Sequence, residues 1–153
     1  GETLPGGKAV LYLANNIIRA DDGAKLKETD GLGINGKIVD FEIIKSRTNA
    51  AGRSVPMVFD FTNGFDDILS LFMFLKSTGA IITGATCYLR GHEDMKFRQR
   101  DFKNKLFNDP EFAKAFNEVA RAELETLLGN PEVEDQKNIT QPNQAIINSI
   151  LGL

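Results

Sequence analysis

The sequence has one cysteine, Cys87, and one histidine, His92, in 153 residues. A single cysteine excludes an internal disulfide framework and fits a reducing compartment. Cys87 falls in an expected strand and reads as a small core residue. A single histidine argues against a His-rich metal site or a Ser-His triad. His92 sits in Arg90-Gly-His-Glu-Asp94, which reads as an exposed hairpin turn. No clustered Cys and His, and no paired carboxylates at metal-ligand spacing, appear elsewhere, so no metal site is expected. No apolar run is long enough to span a membrane. Nothing at the N-terminus resembles a signal peptide, so the Asn138-Ile-Thr140 sequon carries no meaning. There is no internal repeat. Net charge is −3, so the chain as a whole is not drawn to nucleic acid, and any such contact must come from a local patch.

What is present is ordinary for a globular protein, at 42% hydrophobic and 25% charged residues. The length suits one domain, or a core piece with a small appended domain. The chain is organised around the stretch Lys37 to Thr48. Val39, Phe41 and Ile43 alternate with Ile38, Asp40, Glu42 and Ile44, the pattern of a strand with one strongly apolar face. That parity runs on into Lys45 and Arg47, which places two cations on one face roughly 7 Å apart. Such a pair suits an anion, phosphate above all. The alternative is a solvated strand end.

Before this strand, Ala9 to Ile18 reads as a short helical turn running into a strand. Residues 20–36 read as a polar, Gly-rich loop. Within it, Gly31-Leu-Gly-Ile-Asn-Gly-Lys37 matches the front of a phosphate-binding loop, G-x-x-x-x-G-K. The match fails. Ile38 stands where Ser or Thr is required, a loop precedes and a strand follows.

After the strand, Val55 to Phe61 reads as a second strand antiparallel to the first, with Val55, Met57, Phe59 and Phe61 on one face. Pro56 marks an edge or a strand start. Thr62 or Asn63 is the expected cap of a helix through Leu75, ended by Thr78-Gly79. Phe65, Ile68, Leu69, Phe72 and Leu75 form its apolar stripe, widened by Leu71, Met73 and Phe74. A helix apolar nearly all round is expected between two substructures. Ala80 to Phe97 reads as a hairpin turning at Arg90 to Asp94. The segment 96–107 carries the only dense basic run: Lys96, Arg98, Arg100, Lys103 and Lys105, with Phe102, Leu106 and Phe107 on its helical apolar side. Aromatics among cations can bind nucleic acid; a solvated helix face is the alternative. Asp109-Pro110-Glu111 is a helix start, followed by Phe112, Phe116, Val119 or Ala120, Leu124 and Leu127 at helical spacing. Gly129 closes it. From Asn130 the chain is polar and acidic, a tail, with a weak terminal helix at Ala145 to Leu153.

The order of these pieces resembles the C-terminal part of the RecA recombinase family, closest to its phage branch of UvsX-like proteins. Gly6-Gly7-Lys-Ala-Val-Leu-Tyr-Leu-Ala-Asn15 is similar to the glycine pair, short helix and strand that follow the family's second DNA loop. Lys45-Ser46-Arg47-Thr48 resembles its strand ending in two basic residues, and Gly64-Phe-Asp66 its exit from the ATPase core into a long helix. The hairpin with segments 98–107 and 110–128 resembles its small C-terminal domain. The likeness covers roughly residues 3 to 128 and lies in order and spacing, not in one motif. The phosphate-binding loop, the magnesium-binding Asp strand, the catalytic glutamate and both DNA loops are absent; in that family they lie upstream of the position of Gly1.

The resemblance implies an α/β fold. Residues 1–78 would be the C-terminal portion of a RecA-like core sheet with helices, 79–129 a small α+β subdomain and 130–153 a tail. It implies a parent that is a DNA-dependent ATPase of recombination and repair, with ATP and Mg, binding single- and double-stranded DNA, self-associating into filaments and touching no membrane. The implied setting is the cytoplasm of a bacterial or phage-infected cell. Lys45 and Arg47 would reach phosphates held by the neighbouring subunit. Tyr12 would lie at the subunit interface, and the basic run would capture duplex DNA. The chain alone would not be catalytic. The rivals are a stand-alone non-enzymatic module that binds DNA or a protein, and a self-associating structural domain.

Overall fold

Gly36 opens the central strand because nothing larger fits there: a Cβ on it would lie 2.1 Å from the Phe59 carbonyl oxygen of the neighbouring strand. The computed structural model describes residues 16–46 and 52–128. The expectations for Tyr12, Gly6-Gly7, Arg47 and the tail from Gly129 lie outside these residues. The first sheet consists of β1 (Asn16–Leu26), β2 (Gly36–Ser46), β3 (Ser54–Asp60) and β4 (Gly64–Asp66), in that spatial order and antiparallel throughout. The second sheet consists of β5 (Ile81–Ile82), β6 (Cys87–Leu89) and β7 (His92–Phe97), also antiparallel. Helices α1 (Asp67–Ser77), α2 (Phe102–Asn108) and α3 (Pro110–Leu128) complete a mixed α and β fold.

The expected antiparallel pair is present: β2 runs against β3 from Gly36 opposite Asp60 to Glu42 opposite Ser54. Pro56 is tolerated because β4 pairs with β3 only at Val58 to Asp60, so β3 has a strand on one side alone at Pro56. The expected loop at residues 20–36 is corrected in its first part, where β1 continues to Leu26. Periodicity missed it because β1 is an exposed edge strand with charge on both faces. Its cross-strand support is ionic: Arg19 pairs with Glu42 at 2.6 Å, and Lys37 pairs with Asp22. Charged side chains on an edge also discourage pairing with another chain.

The cap of α1 is corrected too. Asp66, not Thr62 or Asn63, caps it, accepting from Leu69 N–H at 2.8 Å. Gly64, at φ 85°, turns the chain into β4 first, so Phe65 belongs to a strand and not to the helical stripe. Helix α1 buries Leu69, Leu71, Phe72, Phe74 and Leu75. It lies along β3 on one side and against β5 and α3 on the other, as its all-round apolarity demands. Ser70 joins helix to sheet. Val58 N–H donates to Ser70 Oγ at 2.8 Å, and the hydroxyl donates to the Asp66 carbonyl at 2.6 Å. This buried hydroxyl thus satisfies two backbone groups where the β3–β4 pairing ends.

The expected hairpin over Ala80 to Phe97 has three strands and a tighter turn. Arg90-Gly91 alone makes the turn, with Gly91 at φ 83°. His92 is therefore a half-buried strand residue opposite Leu89, not an exposed turn residue. Phe72, Phe97, Phe102, Phe112 and Phe116 stack into one aromatic core, with centroid separations of 4.8 to 6.5 Å. Val58 of the first sheet belongs to the same contiguous cluster. Cys87 is buried there as expected, and burial pushes its thiol pKa up, which keeps it protonated and inert.

Candidate functional site

Lys45 is the penultimate residue of β2, and its backbone is paired with Ile17 of β1. One register step earlier, Ile18 faces Ile43. Ile44 is therefore the extra residue of a β-bulge, and bulges re-phase the alternation of a strand. The parity that carried the sequence reading from Ile43 into Lys45 is broken at this point. The basic position still falls at the strand end. On the other side of the hairpin, Ile43 N–H donates to the Arg53 carbonyl and Gly52 N–H to the Ile43 carbonyl, which holds that end together.

The basic run does not form one helix face. Lys96 lies in β7, Arg98 precedes a 3-10 turn at Gln99–Asp101 that contains Arg100, and Lys103 and Lys105 lie in α2. Polar residues at 98–101 end the strand before the helix can begin, because Phe97 and Phe102 must both turn into the aromatic core. Phe107, expected inward, is 68% exposed. Lys96, Arg98 and Arg100 are exposed. Lys103 is held by Asp66 at 2.5 Å, and Lys105 by Asp109 at 3.0 Å with its ammonium 5.2 Å from the Phe112 ring centroid. Two of the five cations are thus held by carboxylates at 3.0 Å or less, Arg100 reaches Asp101 at 3.9 Å, and Lys96, Arg98 and Arg100 are the most exposed.

Sequence reasoning missed Asp60, and took Asp66 only for an acid in the first turn of the helix. They line a polar cleft of about 370 Å³ with Glu28, Asn35, Asn63 and Lys103. Asp60 is buried at 7% exposure and accepts from Thr62 N–H and Asn63 Nδ2, each at 2.9 Å. These donors, the Thr62 amide first, hold its pKa below the ordinary value. Asp109 is held down likewise, first by Phe112 N–H at the start of α3 and then by Lys105. The signal for both was the turn chemistry of an aspartate two or three residues before a free amide.

A depressed carboxyl stabilises the fold fully above the unfolded aspartate value, and loses that contribution as pH falls through the folded one. Melting temperature should therefore drop between about pH 5 and pH 2. Asp60→Asn retains an acceptor for Thr62 N–H, so it should flatten this acid limb. An unchanged slope in the variant, followed by circular dichroism, would remove Asp60 from the effect.

Gly31 to Lys37 do not cradle an anion: Gly36 and Lys37 are already in β2, and Lys37 is paired with Asp22. Among the described residues, no three His, Cys, Asp or Glu side chains converge as a metal group. No described helix is long and apolar enough to cross a membrane. The chain matches no protein-family profile and no curated protein sequence.

Proposed function

We propose that this chain is part of a DNA-dependent ATPase of the RecA type, closest to the UvsX-like branch, acting in homologous recombination and DNA repair. It supplies the end of the ATPase core and the C-terminal domain, with surfaces for subunit contact and DNA capture in a filament. The observation that supports this reading is the order of elements: a strand with Lys45 next to its last residue, an antiparallel partner, then an exit through Gly64-Phe65-Asp66 into an all-round apolar helix and a small α+β unit. ATP and Mg belong to the parent filament, and Lys45 and Arg47 act on phosphates held by the adjacent subunit.

The purified chain should hydrolyse no ATP, with or without DNA, since its G-x-x-x-x-G-K stretch has Ile38 where a phosphate-binding loop needs Ser or Thr. DNA-stimulated hydrolysis by the purified chain would overturn the reading. It should bind DNA weakly and without sequence preference through Lys96, Arg98 and Arg100. Three phosphate contacts give a slope of about −3 in log affinity against log salt for duplex DNA, where five would give nearly −5. Changing the three to Gln should abolish binding, and changing Lys105 should not. Binding that survives the triple change would make the run a solvated face. Phe61 and Phe65, exposed beside Phe59 on the first sheet, favour the second reading, a non-enzymatic protein-interaction module.

A further inference from the structure

Segment 96–107 has an inner and an outer side. Phe97 and Phe102 turn into the aromatic core, and Leu106 packs against it. Lys96 and Arg98, on either side of Phe97 in extended chain, are exposed and face away from the core. Arg100 follows in the 3-10 turn with its side chain 65% exposed. The outer side is therefore basic, with one exception. Phe107 is the most exposed large apolar side chain among the described residues, at 68%.

The 3-10 turn runs into α2 without a break. Arg100, Lys103 and Phe107 then stand at i, i+3 and i+7, the positions of one helical face. Arg100 and Phe107 are roughly 10 Å apart along the axis. Lys103 is held by Asp66, so the charge most exposed on this line is that of Arg100. Asp101 stands 3.9 Å from Arg100, too far for a hydrogen bond, while Asp109 is committed to Lys105 at 3.0 Å. Beside Phe107 the surface is polar and uncharged: Asn108 Nδ2 donates to the Asn104 carbonyl at 2.9 Å.

A lone exposed phenylalanine is ordinary; one in line with cations offers a distinct chemistry. Cations track a nucleic-acid backbone, and an aromatic ring gives a base a face to stack on, whatever its identity. A duplex presents phosphates to the cations but keeps its base faces stacked on one another. Only an unpaired base can reach the ring. We infer that Phe107 is a base-stacking residue that gives the basic surface of residues 96–100 a preference for single-stranded over duplex DNA. The inference rests on the DNA-capture part of the proposed function and not on its ATPase part. It reverses the duplex preference that the resemblance implies for this run.

The test uses the full chain at low salt, with a labelled oligothymidylate of about 16 nucleotides and a labelled duplex hairpin, read by fluorescence anisotropy. Phe107→Ala is expected to weaken oligothymidylate binding by about 5- to 100-fold and to leave duplex binding unchanged. The chain has no tryptophan, so Phe107→Trp places a single reporter at the site. It is expected to retain single-strand binding, with its fluorescence quenched by the oligothymidylate and not by the duplex. Unchanged oligothymidylate affinity in Phe107→Ala, an equal loss for both DNAs, or quenching by both overturns the inference. If the Gln changes at Lys96, Arg98 and Arg100 abolish binding and Phe107→Ala does nothing, DNA capture stands and Phe107 alone is removed from it. If the unaltered chain binds neither DNA, both readings fall.

Discussion

In the proposed parent recombinase, Lys45→Ala lowers ATP hydrolysis by about 10³-fold, on the scale of a lost arginine finger. Arg47→Ala has the same effect, and in both the monomer stays folded with its own nucleotide site intact. A cation on a transferring phosphoryl group acts where charge develops, in a site closed to water, which is why one side chain carries so much. Lys45 stands at the end of β2, with its backbone fixed opposite Ile17 just past the Ile44 bulge. If the residue acts on the neighbour's phosphates, mixing the Lys45→Ala subunit with one defective in its phosphate loop is expected to restore hydrolysis in part, since one good interface forms. Full ATPase activity in the double Ala variant, measured with saturating DNA, leaves the pair as an ordinary strand end.

The legible parts of the fold were those with a strong single-face pattern. Val39, Phe41 and Ile43 marked β2, and Asp109-Pro110 with Phe112, Phe116, Ala120 and Leu124 marked α3, all where expected. The capping contact, Phe112 N–H to Asp109 at 3.1 Å, is the one the sequence names. Elements stabilised by pairing and not by burial were hidden. Strand β1 is exposed along most of its length and exists because β2 offers it a ladder and counter-charges. Strand β4 is three residues long and shifts the helix cap by three to four positions.

The candidate site was legible as residue types and not as geometry. A bulge depends on pairing with a partner strand, so no pattern within Lys37 to Thr48 reveals that Ile44 is extra. The basic run was visible, but its division was not. Asp66 lies 37 residues from Lys103, and only folding brings them to 2.5 Å. A local sequence window sees five free cations where the fold has already used two.

Phe102→Ala is expected to cost about 3–5 kcal/mol, a large share of a typical domain's total stability. Phe102 is 1% exposed and its ring meets four others: Phe72 at 4.8 Å, Phe116 at 5.3 Å, Phe97 at 5.8 Å and Phe112 at 6.5 Å. It therefore joins α1, β7 and α3, and removing the ring leaves a cavity that three elements must close around at once. Phe107→Ala, five residues on in the same helix but 68% exposed, should change stability by no more than about 0.5 kcal/mol. Urea unfolding followed by far-ultraviolet circular dichroism suits a chain without tryptophan. The shape of the transition carries a second outcome. Val58 and α1 share one core with the second sheet and α3, so the loss should move a single transition to lower urea. Two transitions, of which Phe102→Ala shifts only one, would make residues 79–129 an independent folding unit and α1 a mere contact between domains.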